Sequence, residues 1–167
     1  MVERVEALIR HAREGDLAAL EWEGRYQHFR RLYRRAMSQA KLGQRILLVA
    51  EADGRIVGQI FVQLTSGRAE LADGASSGYL YAFRVRPSYR NQGIGTRLIE
   101  SAEQELVRRG FRRIVIAVAK DNSGARRLYE KLGYQRFAED PGEWSYIDHE
   151  GTLRHVSEPA YVLEKTL

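Results

Sequence analysis

The stretch Arg90-Asn91-Gln92-Gly93-Ile94-Gly95-Thr96-Arg97-Leu98 joins two unlike patterns. Before it, Tyr79 to Val85 is aromatic and β-branched and reads as a strand that Pro87 stops. After it, Ile94, Leu98, Ala102, Leu106 and Arg109 recur at helical spacing across a helix from Gly95 to Arg109, closed by Gly110. A strand that enters a helix through two glycines can turn its backbone N–H groups into one concavity. The helix adds its positive end, so the segment is an anion site for which a diphosphate is the natural occupant. Arg90 can add charge-assisted contacts.

Two familiar phosphate loops do not fit these residues. A Walker loop needs Gly-Lys-Ser/Thr, whereas Gly95 is followed by Thr96-Arg97. A dinucleotide fingerprint needs a third glycine where Leu98 stands, and a tighter turn than Pro87 to Gln92 permits. Asp121, beyond the next strand, is the one residue that favours that reading.

Outward from this segment the chain alternates. Val5 to Arg10 reads as a short strand, and Asp16 as the N-cap of a helix over Leu17 to Trp22. Tyr26, Phe29, Tyr33, Ala36, Met37 and Ala40 form one stripe of a helix ended by Gly43. Ile46 to Ala50 and Ile56 to Leu64 flank Asp53-Gly54, a two-residue hairpin signal. Thr65 to Ser77 is a loop. Ile114 to Ala119 is apolar throughout and predicts a strand buried on both sides. Ser123 to Leu132 is a helix closed by Gly133, and Tyr134 to Ala138 and Ala160 to Glu164 are the last strands. Residues 139–159 form a polar insertion between them, with Trp144, Tyr146, Asp148 and His149. The β-α-β portion, residues 79–119, requires a parallel pair with a right-handed crossover.

Composition narrows the function. The chain has 167 residues, 44% of them hydrophobic, enough for one domain over 1–167 with its own core. It has no cysteine, which removes disulfides and thiolate chemistry and fits a reducing compartment. The first residues are charged and lack a secretory h-region, and no apolar run reaches the roughly 18 residues of a membrane span. A cytoplasmic protein is expected, with no membrane partner. The formal net charge of +5 fits a solvated Arg-rich surface and a phosphate-rich ligand. The basic residues from Arg25 to Arg45 are spread around their helix rather than focused with aromatics, which argues against nucleic acid. The four histidines show no metal-ligand spacing, so no metal is expected.

The pattern Arg90-x-x-Gly93-x-Gly95 after Val85-Arg86-Pro87-Ser88-Tyr89 resembles motif A of the GNAT superfamily of N-acetyltransferases. Asn122-Ser-Gly-Ala125-Arg-Arg-Leu128-Tyr129-Glu-Lys-Leu132-Gly133-Tyr134 resembles its second motif. The resemblance covers residues 46–137 well, matches the N-terminal helices in layout only and leaves the insertion outside. It implies an α/β (α+β) fold: a mixed, mostly antiparallel twisted sheet of about six to seven strands flanked by helices, with one central splayed parallel pair, Tyr79–Val85 beside Ile114–Ala119.

The resemblance also implies chemistry: transfer of the acetyl group of acetyl-CoA, a cosubstrate, to a primary amine of a small molecule, peptide or protein by direct attack. Its pyrophosphate would lie on Arg90, Asn91, Gln92, Gly93, Ile94, Gly95 and Thr96, and its pantetheine arm in the splayed gap against Phe83, Arg84 and Val85. Asn122, Ala125 and Leu128 of the second motif complete the cofactor set. Tyr129 matches the usual general acid, a phenol able to protonate a departing thiolate. Many relatives carry a carboxylate base on the strand that here holds Tyr79, Tyr81 and Arg84, so the base is unassigned, with Glu51, Glu21 and Glu23 as candidates. Trp22, Glu23, Tyr81, Trp144 and Tyr146 are candidates for the acceptor side.

Each assignment has a plainer rival. The two glycines could form an ordinary turn, Tyr129 could be a core aromatic, and Asn122 an N-cap only. Tyr26 fits the core stripe. The insertion could be a packed hairpin or a cover for the acceptor site. A non-catalytic acyl-CoA-binding module is the alternative to an enzyme, with a nucleic-acid-binding protein behind it; the retained Tyr129 favours the enzyme. A homodimer is left open, and the acceptor is not readable from the sequence.

Overall fold

The computed structural model describes residues 6–167. The first strand, β1, is Leu8–His11; the expected strand from Val5 therefore begins later, and Val5 itself lies outside the described residues. A three-ten helix over Glu14–Glu21 follows in place of the expected helix. Asp16 is not its N-cap but sits inside the first turn, where its carboxylate accepts the Arg13 backbone N–H at 2.7 Å. It also takes a bidentate contact from Arg10. Trp22 and Glu23 have positive φ (47° and 55°), so the chain turns sharply before the next helix.

That helix, expected to run unbroken from Tyr26, starts as a three-ten turn at Gln27–Phe29 and becomes α1 over Arg30–Lys41. Tyr26 is not helical, at φ −120° and ψ 23°. Tyr33, Ala36 and Met37 are the buried part of the stripe. β2 (Arg45–Ala52) and β3 (Arg55–Gln63) pair antiparallel around Asp53-Gly54. Both turn residues have positive φ (53° and 73°), the requirement of the tight hairpin that this dipeptide signals. After the loop come β4 (Ser77–Val85), α2 (Ile94–Arg108), β5 (Arg113–Ala119) and α3 (Ser123–Lys131). β6 (Gln135–Asp140) and β9 (Ala160–Thr166) enclose the insertion, which forms a separate antiparallel hairpin of β7 (Glu143–Ile147) and β8 (Leu153–Ser157).

The seven-stranded sheet has the order β1-β2-β3-β4-β5-β9-β6. Among the described residues β4 and β5 are its parallel pair; the remaining ladders are antiparallel. Side chains alternate across the strands and feed two cores. Ile60, Val62, Leu80, Ile114 and Ile116 pack with Leu98, Ile99, Ala102 and Leu106 of α2 and with Tyr129 of α3. Leu47, Val49 and Phe61 pack with Leu20 and with Tyr33, Ala36 and Met37 of α1. The sheet is thus covered on both sides, and anything that passes through it must do so where two strands part.

Candidate active site

β4 and β5 do part. Their ladder runs from Ser77↔Arg113 to Leu80↔Ile116 and goes no further, although both strands continue. The cause lies on the other edge of β4. Gln59 stands opposite Arg84 and Phe61 opposite Tyr81, so β4 carries one extra residue against β3, a bulge. Ala82 takes a left-handed φ of 51° there. Buried Gln59 donates its amide N–H to the Ala82 carbonyl at 3.1 Å, fixing the bulge from below. A bulge bends its strand, and β4 turns away from β5.

The gap opens into a cleft of about 680 Å³. Phe83 and Tyr129 line it on the side of α2 and α3, Phe29, Tyr33, Phe61, Tyr79 and Tyr81 on the side of α1, and Ala117, Ala119 and Asn122 along β5 and just past its end. Tyr129 comes from α3, whose N-cap Asn122 accepts the Ala125 backbone N–H at 3.2 Å. The Tyr129 ring is buried 6.3 Å from Phe83 and 6.1 Å from Tyr134. Its hydroxyl has no hydrogen-bond partner among the described residues. Burial pushes its pKa above the ordinary phenol value, so it stays protonated and can donate a proton.

Next to the gap, the loop between β4 and α2 has a backbone geometry that can take an anion. Gly93 caps α2 with φ 83°, and a Cβ there would meet nothing within 4 Å, so its backbone faces open space. Gly95 is small for a different reason: a Cβ would come 3.0 Å from Phe83 Cζ. The second glycine therefore lets α2 close onto the strand that lines the gap. Asn91 also has positive φ (61°), and the Arg90 guanidinium donates to the Val85 carbonyl at 3.0 Å, holding the strand exit. Ile94 is buried in the core, so only its backbone is available to a ligand. Gln92 completes the loop, and Thr96 lies in the first turn of α2.

The other candidates divide. Ala125 and Leu128 pack against the core beside Tyr129 and do not line the cleft. Val85 is buried. Arg84 lines the cleft with its side chain turned to the α1 side, where it donates to Tyr33 Oη at 2.7 Å and lies 4.0 Å over the Tyr26 ring. Tyr81 and Trp144 line the cleft. Tyr146 sits behind, against Phe29 (5.3 Å) and His28 (6.3 Å). Trp22 is buried under Arg86, away from the cleft, and Glu23 holds Arg86 at 2.9 Å.

The three base candidates are corrected by their ion pairs. Glu51 accepts Arg10, Glu21 accepts Arg30 and Glu23 accepts Arg86, and none lines the cleft. The arginine partner holds the carboxyls of Glu21 and Glu23 below the ordinary range. The carboxylates that do line it are Asp140, Glu143 and Glu158. Asp140 is committed to Arg68, which lowers its pKa. Glu143 and Glu158 have no ion-pair partner among the described residues. Sequence reading missed both, along with Arg35, Arg45 and Arg68, because nothing local marks them: separate elements bring them together. Asp148 is not at the cleft. It is fully buried in the β7–β8 turn, accepting Arg154 at 2.8 Å and the N–H groups of Glu150 and Thr152 at 2.9 Å. Among the described residues no metal-binding group of three or more His, Cys, Asp or Glu forms, and no helix is long and apolar enough to cross a membrane.

Comparison with known proteins supplies the family. The model of the acetyltransferase (GNAT) family matches residues 15–134. The fold is similar to that of the ribosomal-protein-S18-alanine N-acetyltransferase from Escherichia coli, at 19% identity over 96% of this chain and 94% of that one, with a TM-score of 0.72. Ard1 from Thermoplasma volcanium matches at 17% identity, over 96% and 97% of the two chains, with a TM-score of 0.74. The PaiA N-acetyltransferase from Thermoplasma acidophilum, in complex with coenzyme A, matches at 18% identity over 97% and 99%, with a TM-score of 0.71.

Proposed function

The chain belongs to the GNAT acetyltransferase family, and from that premise we propose that it transfers the acetyl group of acetyl-CoA to a primary amine by direct attack, with Tyr129 as the general acid. The observation that carries this reading is the convergence on one gap: β4 and β5 stop pairing after Leu80 and Ile116, and Tyr129 and Phe83 line the opening. The residues fit the cofactor. Open space above Gly93 leaves room for a diphosphate at the positive end of α2, and Arg90 stands beside it. Unpaired backbone of β4 past Leu80 is available to an extended amide-bearing arm, and an N–H there can stabilise the developing oxyanion. Asn122 adds a polar contact at the mouth while capping α3.

In this reading the amine nitrogen bonds to the thioester carbonyl carbon, the C–S bond breaks, and Tyr129 gives its proton to the sulfur. The amine's own proton leaves to Glu143, Glu158 or water. The sequence contains no cysteine, so a thiol intermediate on the enzyme is not available. Two measurements test the proposal. Calorimetry should detect acetyl-CoA binding, and thiol release should appear with some member of a broad amine panel. Binding without turnover on any amine would favour an acyl-CoA-binding module, and absence of binding would remove the cofactor assignment.

A further inference from the structure

The acceptor side of the cleft carries uncompensated positive charge. A guanidinium withdrawn from water normally has a carboxylate beside it. The partly or fully buried arginines of the described chain follow this rule almost throughout. Arg10 pairs with Asp16, Arg30 with Glu21, Arg86 with Glu23, Arg113 with Glu164 and Arg126 with Glu130. Arg45 and Arg84 break it. Both are half-buried, both line the cleft, and neither has a carboxylate partner among the described residues.

Their charge rests on phenols and ring faces instead. Arg84 donates to Tyr33 Oη and lies over Tyr26. Arg45 donates to Tyr81 Oη with its guanidinium 5.4 Å from the ring centroid. Such contacts orient a cation without neutralising it. Exposed Arg35 of α1 also lines the cleft, with no ion-pair partner among the described residues. The unpaired carboxylates of the cleft come from beyond β5, on the insertion between β6 and β9: Glu143 opens β7 and Glu158 lies between β8 and β9. The cations come from α1, β2 and β4. Positive and negative charge therefore enter one cleft from opposite sides of the splayed pair.

We propose that the acceptor is a compact amine that also bears a carboxylate, an amino acid in chemical class, with the carboxylate held by Arg84 and Arg45 and the amino group directed towards Glu143 and Glu158. This rests on the acetyl-transfer reading above and names its substrate class. A compact acceptor is favoured over a chain because the cleft of about 680 Å³ must also take the pantetheine arm. The hairpin sets Trp144 on its edge, stacked 6.4 Å from Phe29. The aromatic lining suits an apolar side chain on the carbon that bears both charged groups.

The test compares ligands that differ only in the anion. N-acetylphenylalanine and N-acetylphenethylamine are titrated by calorimetry into the coenzyme A-loaded protein, with an N-acetylphenylalanyl dipeptide amide as the chain-like arm. The carboxylate form should bind roughly tenfold to a hundredfold tighter, the value of charge-assisted hydrogen bonds to a fixed guanidinium. Arg84→Gln and Arg45→Gln should each bring that ratio towards one, and coenzyme A affinity measured in the same variants reports the cofactor side separately. Equal binding of the two small ligands in the unaltered protein, binding of neither, a tighter dipeptide amide, or a ratio that survives both substitutions would overturn the proposal. Failure to bind acetyl-CoA would strike the acetyl-transfer reading alone, because the ligand comparison reads binding, not turnover, and can be repeated without coenzyme A.

Discussion

At the scale of single residues, Tyr129 and Gly95 separate chemistry from packing. The Tyr129 ring is core and its hydroxyl is spare: the ring contacts Phe83 and Tyr134, while the oxygen has no partner among the described residues. Tyr129→Phe should therefore leave the melting temperature and acetyl-CoA affinity nearly unchanged and lower turnover by about 10²- to 10⁴-fold, the usual contribution of a general acid. Thiol-release kinetics under conditions where chemistry limits the rate would check it, and unaltered turnover would remove Tyr129 from the mechanism. Gly95 is the converse. A Val side chain there starts 3.0 Å from the Phe83 ring and must push α2 off β4. Gly95→Val should destabilise by about 1–3 kcal/mol, as overpacking does, and should lose acetyl-CoA binding by calorimetry. A folded Gly95→Val protein with ordinary affinity would show that the loop does not hold the cofactor. Gly93→Ala meets no atom and has only its φ of 83° to resist, so its penalty should be nearer 1–2 kcal/mol, roughly that of a left-handed alanine.

Among the elements, the β7–β8 hairpin has the shape of a replaceable part. It forms its own two-stranded sheet and meets the body of the protein through aromatic contacts of Trp144 and Tyr146 with Phe29 and His28. Asp148 ties its turn, and the Arg154 hydrogen bond, followed by the turn N–H groups, holds the Asp148 carboxyl down at about 2. Because the folded pKa lies below the ordinary value near 3.9, this contribution is whole above about pH 4 and fades as pH falls towards 2. Asp148→Ala should raise the acceptor KM several-fold at neutral pH with acetyl-CoA affinity unchanged. If acetyl-CoA affinity falls in step, the hairpin supports the whole cleft and not the acceptor side. The hairpin also shows where sequence reading stopped. Positions along β7 and β8 are almost all exposed, so no alternation of apolar and polar residues betrays them. The β2–β3 hairpin was legible because Asp53-Gly54 supplies the two positive-φ residues its turn demands. The β4–α2–β5 unit was legible from glycines and apolar runs. The bulge that splays it was not, since Ala82 has no preference for φ 51° and the residue that holds it, Gln59, is remote in sequence.

For the whole molecule, the two-sided sheet constrains the kinetics. Loop 90–96 and Tyr129 lie on the side of α2 and α3, whereas Arg45, Tyr81 and Arg84 face the side of α1. The cleft runs through the break between β4 and β5 and joins them. Cofactor and acceptor can then occupy the molecule together, entering from opposite sides and meeting at the gap. With no cysteine in the chain, an acetyl group has no thiol to rest on between the two half-reactions. Initial-rate plots at several fixed acetyl-CoA concentrations should accordingly intersect, as expected of a ternary complex, and mass spectrometry after acetyl-CoA alone should find no stoichiometric acetyl adduct on a catalytic residue. Both substrates bound at once also means that coenzyme A should not compete with the acceptor. Parallel rate lines, or an acetylated residue in the cleft that reacts on to the amine, would mean that the gap serves two successive occupants, and the role of the splayed strands in bringing amine and thioester into contact would have to be given up.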